Sequence, residues 1–564
     1  MIETNLVSFF LGTIFLLFFS ISSFSYTSAS LTLCRPDQRD TLLQFKSEFE
    51  LRKPREFLDE LYKGTTISVN VTSYPKTKSW ENNTDCCYWE GITCDGNSGV
   101  VIGLDLSCSS LHGHFKPNSS VFRLQYLRSL NLAYNGFNAS SIPTRINELI
   151  GLQRLNLSHT FFSGVIPTEI LHLTKLVSLD LSSTSFMYSQ TLLSTEKPFL
   201  SHLAQNLTNL RQLDVSFVNI SSDIPQMMIS NLTFLRSIRL HDCHVFGKLP
   251  RLSSSIRSID LSINPHLESS LPEFNANNSV VYLDVSDTSL SGNIPDSISN
   301  LRHLKVLRLF NCKFTGKIPS SIGNLSHLNI LDLSSNTFAG EVPSSFQNLN
   351  RMTKLYLWEN KLSGEIPGAL FNLLKLSYLS LAFNQFTGTL PPNLTSLSNL
   401  NFFDASSNSL VGTIPSAFFN IPSLVVFYLG NNQLNGPLDI GNISSMSKLG
   451  WLDLSENNFT GPIPISISKL VNLVLLDLSY FNIQAPLDIG IFHLKYLGDL
   501  RLSNLNITTM IDLNAILSSP LKSLSGLDLS GSRVSLKDMS SVSTLSSQLQ
   551  RLHLAAVSQY FQSS

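Results

Sequence analysis

Seven cysteines and twelve histidines are the residues with which this 564-residue chain could build a metal centre or a nucleophile. Their spacing argues for neither. Cys34, Cys86, Cys87 and Cys94 cluster ahead of residue 100, the last three within "SWENNTDCCYWEGITCD". Two adjacent cysteines in an exported segment suit disulfides better than a zinc site, and four cysteines allow three pairings. Cys243 and Cys312 stand singly in leucine-rich stretches and read as buried, structural thiols. Cys108 is the odd thiol, expected at an outward strand position. His241 and His244 flank Cys243 and read as exposed polar positions rather than ligands. The sequence holds no Gly-x-Ser-x-Gly, His-Glu-x-x-His or phosphate-binding Gly-x-x-x-x-Gly-Lys-Ser/Thr motif, so no catalytic residue, metal or cofactor is expected. Lys+Arg (39) nearly cancels Asp+Glu (40), which provides no field for nucleic acid.

What remains is the chemistry of binding. Phe310, Tyr356, Trp358, Tyr378, Phe383, Phe402, Tyr428, Trp451 and Tyr480 are spaced so that one repeating element can turn them all outward, and clustered exposed aromatics are the material of binding hot spots. The candidate ligand-binding set is Arg308, Phe310, Tyr356, Trp358, Tyr378, Phe383, Tyr428 and Trp451. Arg308, Lys354 and Glu359 would add charge-assisted contacts.

The positioning element is a repeat. Alignment on Leu-x-Leu-x-x-Asn-x-Leu places the Asn position at residues 109 to 557 in nineteen copies, with seven consecutive spacings of 24 between 264 and 432. Leu-x-Leu reads as a short strand with its leucines inward and x residues outward. About nineteen parallel strands, roughly 4.8 Å apart, would form a sheet on the order of 90 Å along its curve. In that sheet Tyr356 and Tyr428 share one column, three strands apart, and Phe310 and Trp358 share the next, two apart. Asn336, Asn360, Asn384, Asn408, Asn432 and Asn457 would line an inner column that satisfies backbone groups, with Cys243 and Cys312 at the same position. Between 184 and 218 the spacing stretches to 34, so about ten residues should loop out.

Many copies continue as Leu-x-Gly-x-Ile-Pro or a close variant, for example Gly292 to Pro295, Gly364 to Pro367 and Gly412 to Pro415. Joined to a 24-residue leucine-rich repeat, this resembles the plant extracellular subclass. The resemblance implies an α/β leucine-rich-repeat solenoid, a right-handed superhelix with a long parallel β-sheet on its concave face. Ahead of it, "CRPDQRDTLLQFKSEF", with Asp37 as N-cap, and then Trp80, Cys86, Cys87, Trp89, Gly91 and Cys94 resemble the N-terminal disulfide-bonded cap of plant leucine-rich-repeat receptors. That resemblance implies the pairs Cys34–Cys86 and Cys87–Cys94. The spacer from Leu51 to Ser79 is longer than the family's caps usually carry.

Residues 1–30 read as a signal peptide, apolar from Leu6 to Ile21 and then small and polar, although "MIETN" lacks a basic residue. The rival is a membrane anchor, for which about sixteen apolar residues are short. Fourteen Asn-x-Ser/Thr sequons agree with export: Asn70, Asn82, Asn118, Asn138, Asn156, Asn206, Asn219, Asn231, Asn277, Asn324, Asn393, Asn442, Asn458 and Asn506. The expected organisation is a cap at 31–99, about eighteen repeats at 100–547, and an incomplete nineteenth at 548–564, read as a C-terminal truncation.

From Cys34 onward the chain resembles plant receptor-like proteins, kinase-less receptors of the innate immune type. The resemblance implies binding of a protein, peptide or glycan ligand derived from pathogens or damage, signalling through partner membrane receptor kinases, and a place at the plasma membrane facing the apoplast. The alternatives are a secreted inhibitor of a cell-wall-degrading enzyme, a soluble decoy, and a receptor for developmental peptides.

Overall fold

A computed structural model describes residues 33–52, 73–183, 193–226, 228, 231–249, 253–392, 394, 397–443, 447–483, 489–507, 509–517, 521, 523–535, 549–555 and 558–560. The expected signal peptide, the sequons at Asn70 and Asn393, most of the spacer, the looped-out stretch at 184–192 and Val557 lie outside those residues. Two compact units follow one another in sequence, the first running to Phe162 and the second from Ser163. Among the described residues no helix is long and apolar enough to cross a membrane.

The first unit opens with the helix Pro36–Lys46. Proline fills the first helical position, where its missing N–H is not needed, so Arg35 and not Asp37 is the N-cap; Asp37 sits in the first turn, where a carboxylate favours the helix dipole. Leu42 and Phe45 are fully buried beneath it. Cys34 is bonded to Cys86 and Cys87 to Cys94. The Trp80 and Trp89 rings stack at 5.4 Å, and Trp80 Nε1 donates to the Glu90 carbonyl at 3.0 Å. Gln38 accepts the Val101 amide at 2.7 Å and so ties the helix to the strand Val101–Asp105. That strand pairs antiparallel with Ile92–Cys94 and parallel with Ser129–Asn131, which pairs with Arg154–Asn156.

The second unit contains a parallel sheet of sixteen described strands, from Ser178–Asp180 to Arg551–His553. Alternation decides the faces: in Lys354–Tyr356 the central Leu355 is fully buried while its neighbours look outward. Beyond the strand the chain turns through a glycine in the left-handed region, as at Gly340 and Gly364 (φ +81° and +80°), where any side chain would be strained. Proline then enters a short 3-10 helix, as Pro343 does before Ser344–Asn348.

The asparagine column joins one repeat to the next. Asn384 Nδ2 donates to the carbonyls of Leu357, Leu381 and Ala382 at 2.9–3.1 Å, and its Oδ1 accepts the Leu362 amide at 3.0 Å. Asn336, Asn360, Asn408, Asn432 and Asn457 repeat the pattern. Cys243 and Cys312 keep its donor half, their thiols donating to the Val215 and Val285 carbonyls at 3.1 and 3.2 Å; Cys312 Sγ also lies 3.3 Å from Thr288 Oγ1, and Cys312 is half-buried where the sequence suggested full burial. Cys108 is not on a strand: it lies past the end of Val101–Asp105 with φ +51°.

Candidate ligand-binding surface

Seven neighbouring strands hold the outward aromatics: Val306–Arg308, Ile330–Asp332, Lys354–Tyr356, Tyr378–Ser380, Phe402–Asp404, Val426–Tyr428 and Trp451–Asp453. Their register is unbroken, so first residues align in one column and third residues in the next. Tyr378, Phe402 and Trp451 stand in the first column; Arg308, Tyr356 and Tyr428 stand in the second. Side chains reach across the columns to make a continuous ridge. The Tyr356 and Tyr378 ring centroids are 4.6 Å apart, Tyr378 and Phe402 stack at 4.0 Å with planes 2° apart, and Phe402 meets Tyr428 edge-on at 6.2 Å. Two residues further along their repeats, Phe310 and Trp358 meet over the intervening strand at 5.9 Å.

Each ridge ring is half-buried, and the electrostatics follow from that placement. Burial raises the phenols of Tyr356 and Tyr428, and facing carboxylates add to it: Asp332 beside Tyr356, Asp453 and Asp404 beside Tyr428. Tyr378 is pushed up to about 12, first by burial and then by Tyr356, Asp404 and Asp332. The carboxylates belong to a recurring Asp-x-Ser element, Leu-Asp-Leu-Ser at Asp332 and Asp453 and Phe-Asp-Ala-Ser at Asp404, in which Asp Oδ1 accepts the amide and hydroxyl of the serine two residues on; Asp332–Ser334, Asp404–Ser406 and Asp453–Ser455 all do so.

The other candidates fall around the ridge. Arg308 pairs with Asp284 at 3.5 Å and is already engaged within the sheet. Trp451 extends the first column and is 37% exposed. Phe383 departs from expectation, because it sits beyond the end of Tyr378–Ser380 with φ +53° and projects from the strand margin, 59% exposed. Glu359 holds the same left-handed position and accepts from Ser335 Oγ at 2.5 Å. Phe402, outside the candidate set, lies at the centre of the ridge.

His241 is half-buried and not exposed, with Nδ1 2.6 Å from Ser262 Oγ and its ring edge-on to Phe217. The cluster Cys34, Asp85 and Cys87 has metal-like spacing, but both sulfurs are in disulfides and Asp85 Oδ1 accepts the Cys34 and Cys87 amides. Of the described sequon asparagines, Asn156, Asn219 and Asn231 are half-buried and the remainder exposed. None stands among the ridge strands.

Comparison with known proteins agrees with this architecture. Leucine-rich-repeat profiles match residues 151–173, 279–301, 303–325, 326–386 and 448–470, and the leucine-rich-repeat N-terminal domain matches 35–59 and 67–95. The chain is thus a leucine-rich-repeat protein whose cap is that of the same class. Receptor-like protein 6 of Arabidopsis thaliana is 55% identical over 309 residues, which is 54% of this chain and 30% of that protein. Receptor-like protein Cf-9 of Solanum pimpinellifolium is 36% identical over 297 residues, 52% of this chain and 33% of that one. The crystal structure of the Arabidopsis receptor kinase HAESA, in complex with the peptide hormone IDA and the co-receptor SERK1, matches with a TM-score of 0.69 at 25% identity over 93% of this chain and 90% of that one. Within the leucine-rich-repeat class, the chain is similar to plant receptor-like proteins. It covers a third or less of the length of these two curated relatives.

Proposed function

We propose that this chain is a ligand-capturing ectodomain segment of a receptor-like protein of plant defence, and that its ligand is a peptide lying across the strands from Val306–Arg308 to Trp451–Asp453. The observation that carries this reading is the unbroken contact from Tyr356 through Tyr378 and Phe402 to Tyr428. Rigid, half-buried aromatics contribute large contact area at little entropic cost, which is why truncating such anchors typically costs 2 kcal/mol or more. A peptide suits the ridge better than a sugar. Tyr378 and Phe402 cover each other's faces and so present edges, whereas a pyranose needs an open ring face. The HAESA complex supports a peptide as the kind of molecule this fold holds. Export through the secretory pathway, glycans on the exposed sequons, a position facing the apoplast and signalling through partner receptor kinases complete the proposal.

The test is to pan a phage-displayed random dodecapeptide library on the purified chain and measure selected peptides against variants. Tyr378→Ala with Tyr428→Ala should weaken binding at least 30-fold, about 2 kcal/mol, without lowering the melting temperature by more than a few degrees. Undiminished binding would move the site elsewhere.

A further inference from the structure

The ridge is bordered by carboxylates that this chain does not fully partner. Along the third-residue column, the flanking Asp284 and Asp477 each meet an arginine through Oδ2, Arg308 at 3.5 Å and Arg501 at 3.6 Å, and Asp284 Oδ2 also accepts from Tyr282 at 3.0 Å. Between them stand Asp332, Asp404 and Asp453. Asp332 lies opposite Arg308 in register, although Arg308 is bonded to Asp284. In register, Asp404 lies between Ser380 and Tyr428 and Asp453 between Tyr428 and Asp477, so no cation stands opposite either; Arg501, two strands beyond Asp453, attracts it only at longer range. Each uses Oδ1 on its serine, and among the described residues Oδ2 of neither has a hydrogen-bond or ionic partner.

Gly430, two residues past Tyr428, is buried under the Asp453 side chain: a Cβ there would lie 3.0 Å from both Asp453 carboxylate oxygens and from Ser455 Oγ, so the absence of a side chain lets that carboxylate settle against the neighbouring strand. Burial raises the Asp404 carboxyl, and Asp453 raises it further. Two half-buried carboxylates about 10 Å apart, two strand spacings, flank one tyrosine. Unpaired buried charge is costly, and a ligand that brings the opposite charge relieves that cost on binding.

We propose that the ligand of the ridge is a basic peptide, which seats a lysine or arginine side chain beside Tyr428, between Asp404 and Asp453, while its apolar residues lie along Tyr356, Tyr378 and Phe402. This rests on the reading of the ridge as a peptide site and adds the charge of the ligand. The basic group's methylene stem would pack against the Tyr428 ring and its cationic head would bond the free Oδ2 of one carboxylate while lying within Coulomb range of the other.

The same dodecapeptide library tests it on the full chain. Peptides selected on the unmodified protein should be enriched in Lys and Arg relative to the input pool. Asp404→Asn with Asp453→Asn keeps an Oδ1 to accept from Ser406 and Ser455 and should fold normally, yet weaken selected peptides about tenfold or more. Replacing the peptide's basic residue with norleucine should cause a matching loss, and the two losses should not add. Selected peptides with no excess of basic residues, or full affinity for the double Asn variant while Tyr378→Ala still abolishes binding, would overturn the charge assignment and leave the ridge standing. Failure to select any peptide, or binding unaffected by Tyr378→Ala, would remove the ridge and this inference with it.

Discussion

Replacement of Asn384 by Ala tests how the repeats are held in register. Its amide meets four backbone groups. Three are carbonyls that keep another partner after the change: Leu357 accepts from Asn360, Leu381 from Asn408, and Ala382 from the Glu359 amide. The Leu362 N–H loses its acceptor outright and is left in the interior of the stack. An orphaned buried donor costs about 1–3 kcal/mol, and the lost bonds to carbonyls add about 1 kcal/mol in total, so the local cost is about 2–4 kcal/mol. Repeat arrays need not unfold in one step, so the assay is amide hydrogen exchange read at Leu362, with Leu410, which bonds to Asn432, as the internal control. Exchange at Leu362 should accelerate about 30-fold to several hundred-fold while Leu410 changes far less. Asn384→Cys should fall between, since a thiol can donate to a carbonyl as Cys312 does but accepts the N–H poorly. Equal protection of Leu362 and Leu410 in Asn384→Ala would refute the column as a structural device.

Three further outcomes are expected. Alkylation of the native chain should label the partly exposed Cys108 first and Cys243 last, because burial raises the Cys243 thiol strongly and closes access to it; mass spectrometry of labelled peptides reads the order. Gly340→Ala, at φ +81°, should destabilise by about 1–2 kcal/mol in urea unfolding, whereas Gly368→Ala, which meets nothing within 4 Å, should be near neutral. Because Tyr378 is raised in the folded state, the folded chain holds that proton more tightly than the unfolded one; its contribution to stability is full below the ordinary phenol value near 10 and is lost as pH rises towards about 12. Thermal melts should therefore fall less steeply with pH over that window for Tyr378→Phe than for the unmodified chain.

The fold was legible because the repeat writes each structural decision many times: left-handed glycines recur every 24 residues from Gly292 to Gly436, prolines from Pro295 to Pro415, and inner asparagines from Asn336 to Asn432. Single events were harder. Asp37 looks like an N-cap, but Pro36 claims the first helical position and shifts the cap to Arg35. Phe383 counts as outward by spacing, yet the strand ends three residues before it and the backbone turns left-handed there. For the site, column arithmetic placed Tyr356 above Tyr428 and Phe310 near Trp358. It could not show that Tyr378 and Phe402 lean together and bridge the columns, since spacing fixes where a side chain starts and not where it points. The free Asp oxygens have no signature in a single copy, and emerge only from which neighbour stands opposite which.

The central claim is that a ligand lies on the aromatic ridge. Photo-crosslinking tests it most directly: p-benzoylphenylalanine placed at Tyr378 in one variant, and at the exposed turn residue Leu374 in another, each irradiated with a selected peptide bound. The account predicts a covalent adduct from position 378 that excess unlabelled peptide competes away, and none from 374. An equal yield from both positions, or adducts from 374 alone, would contradict it.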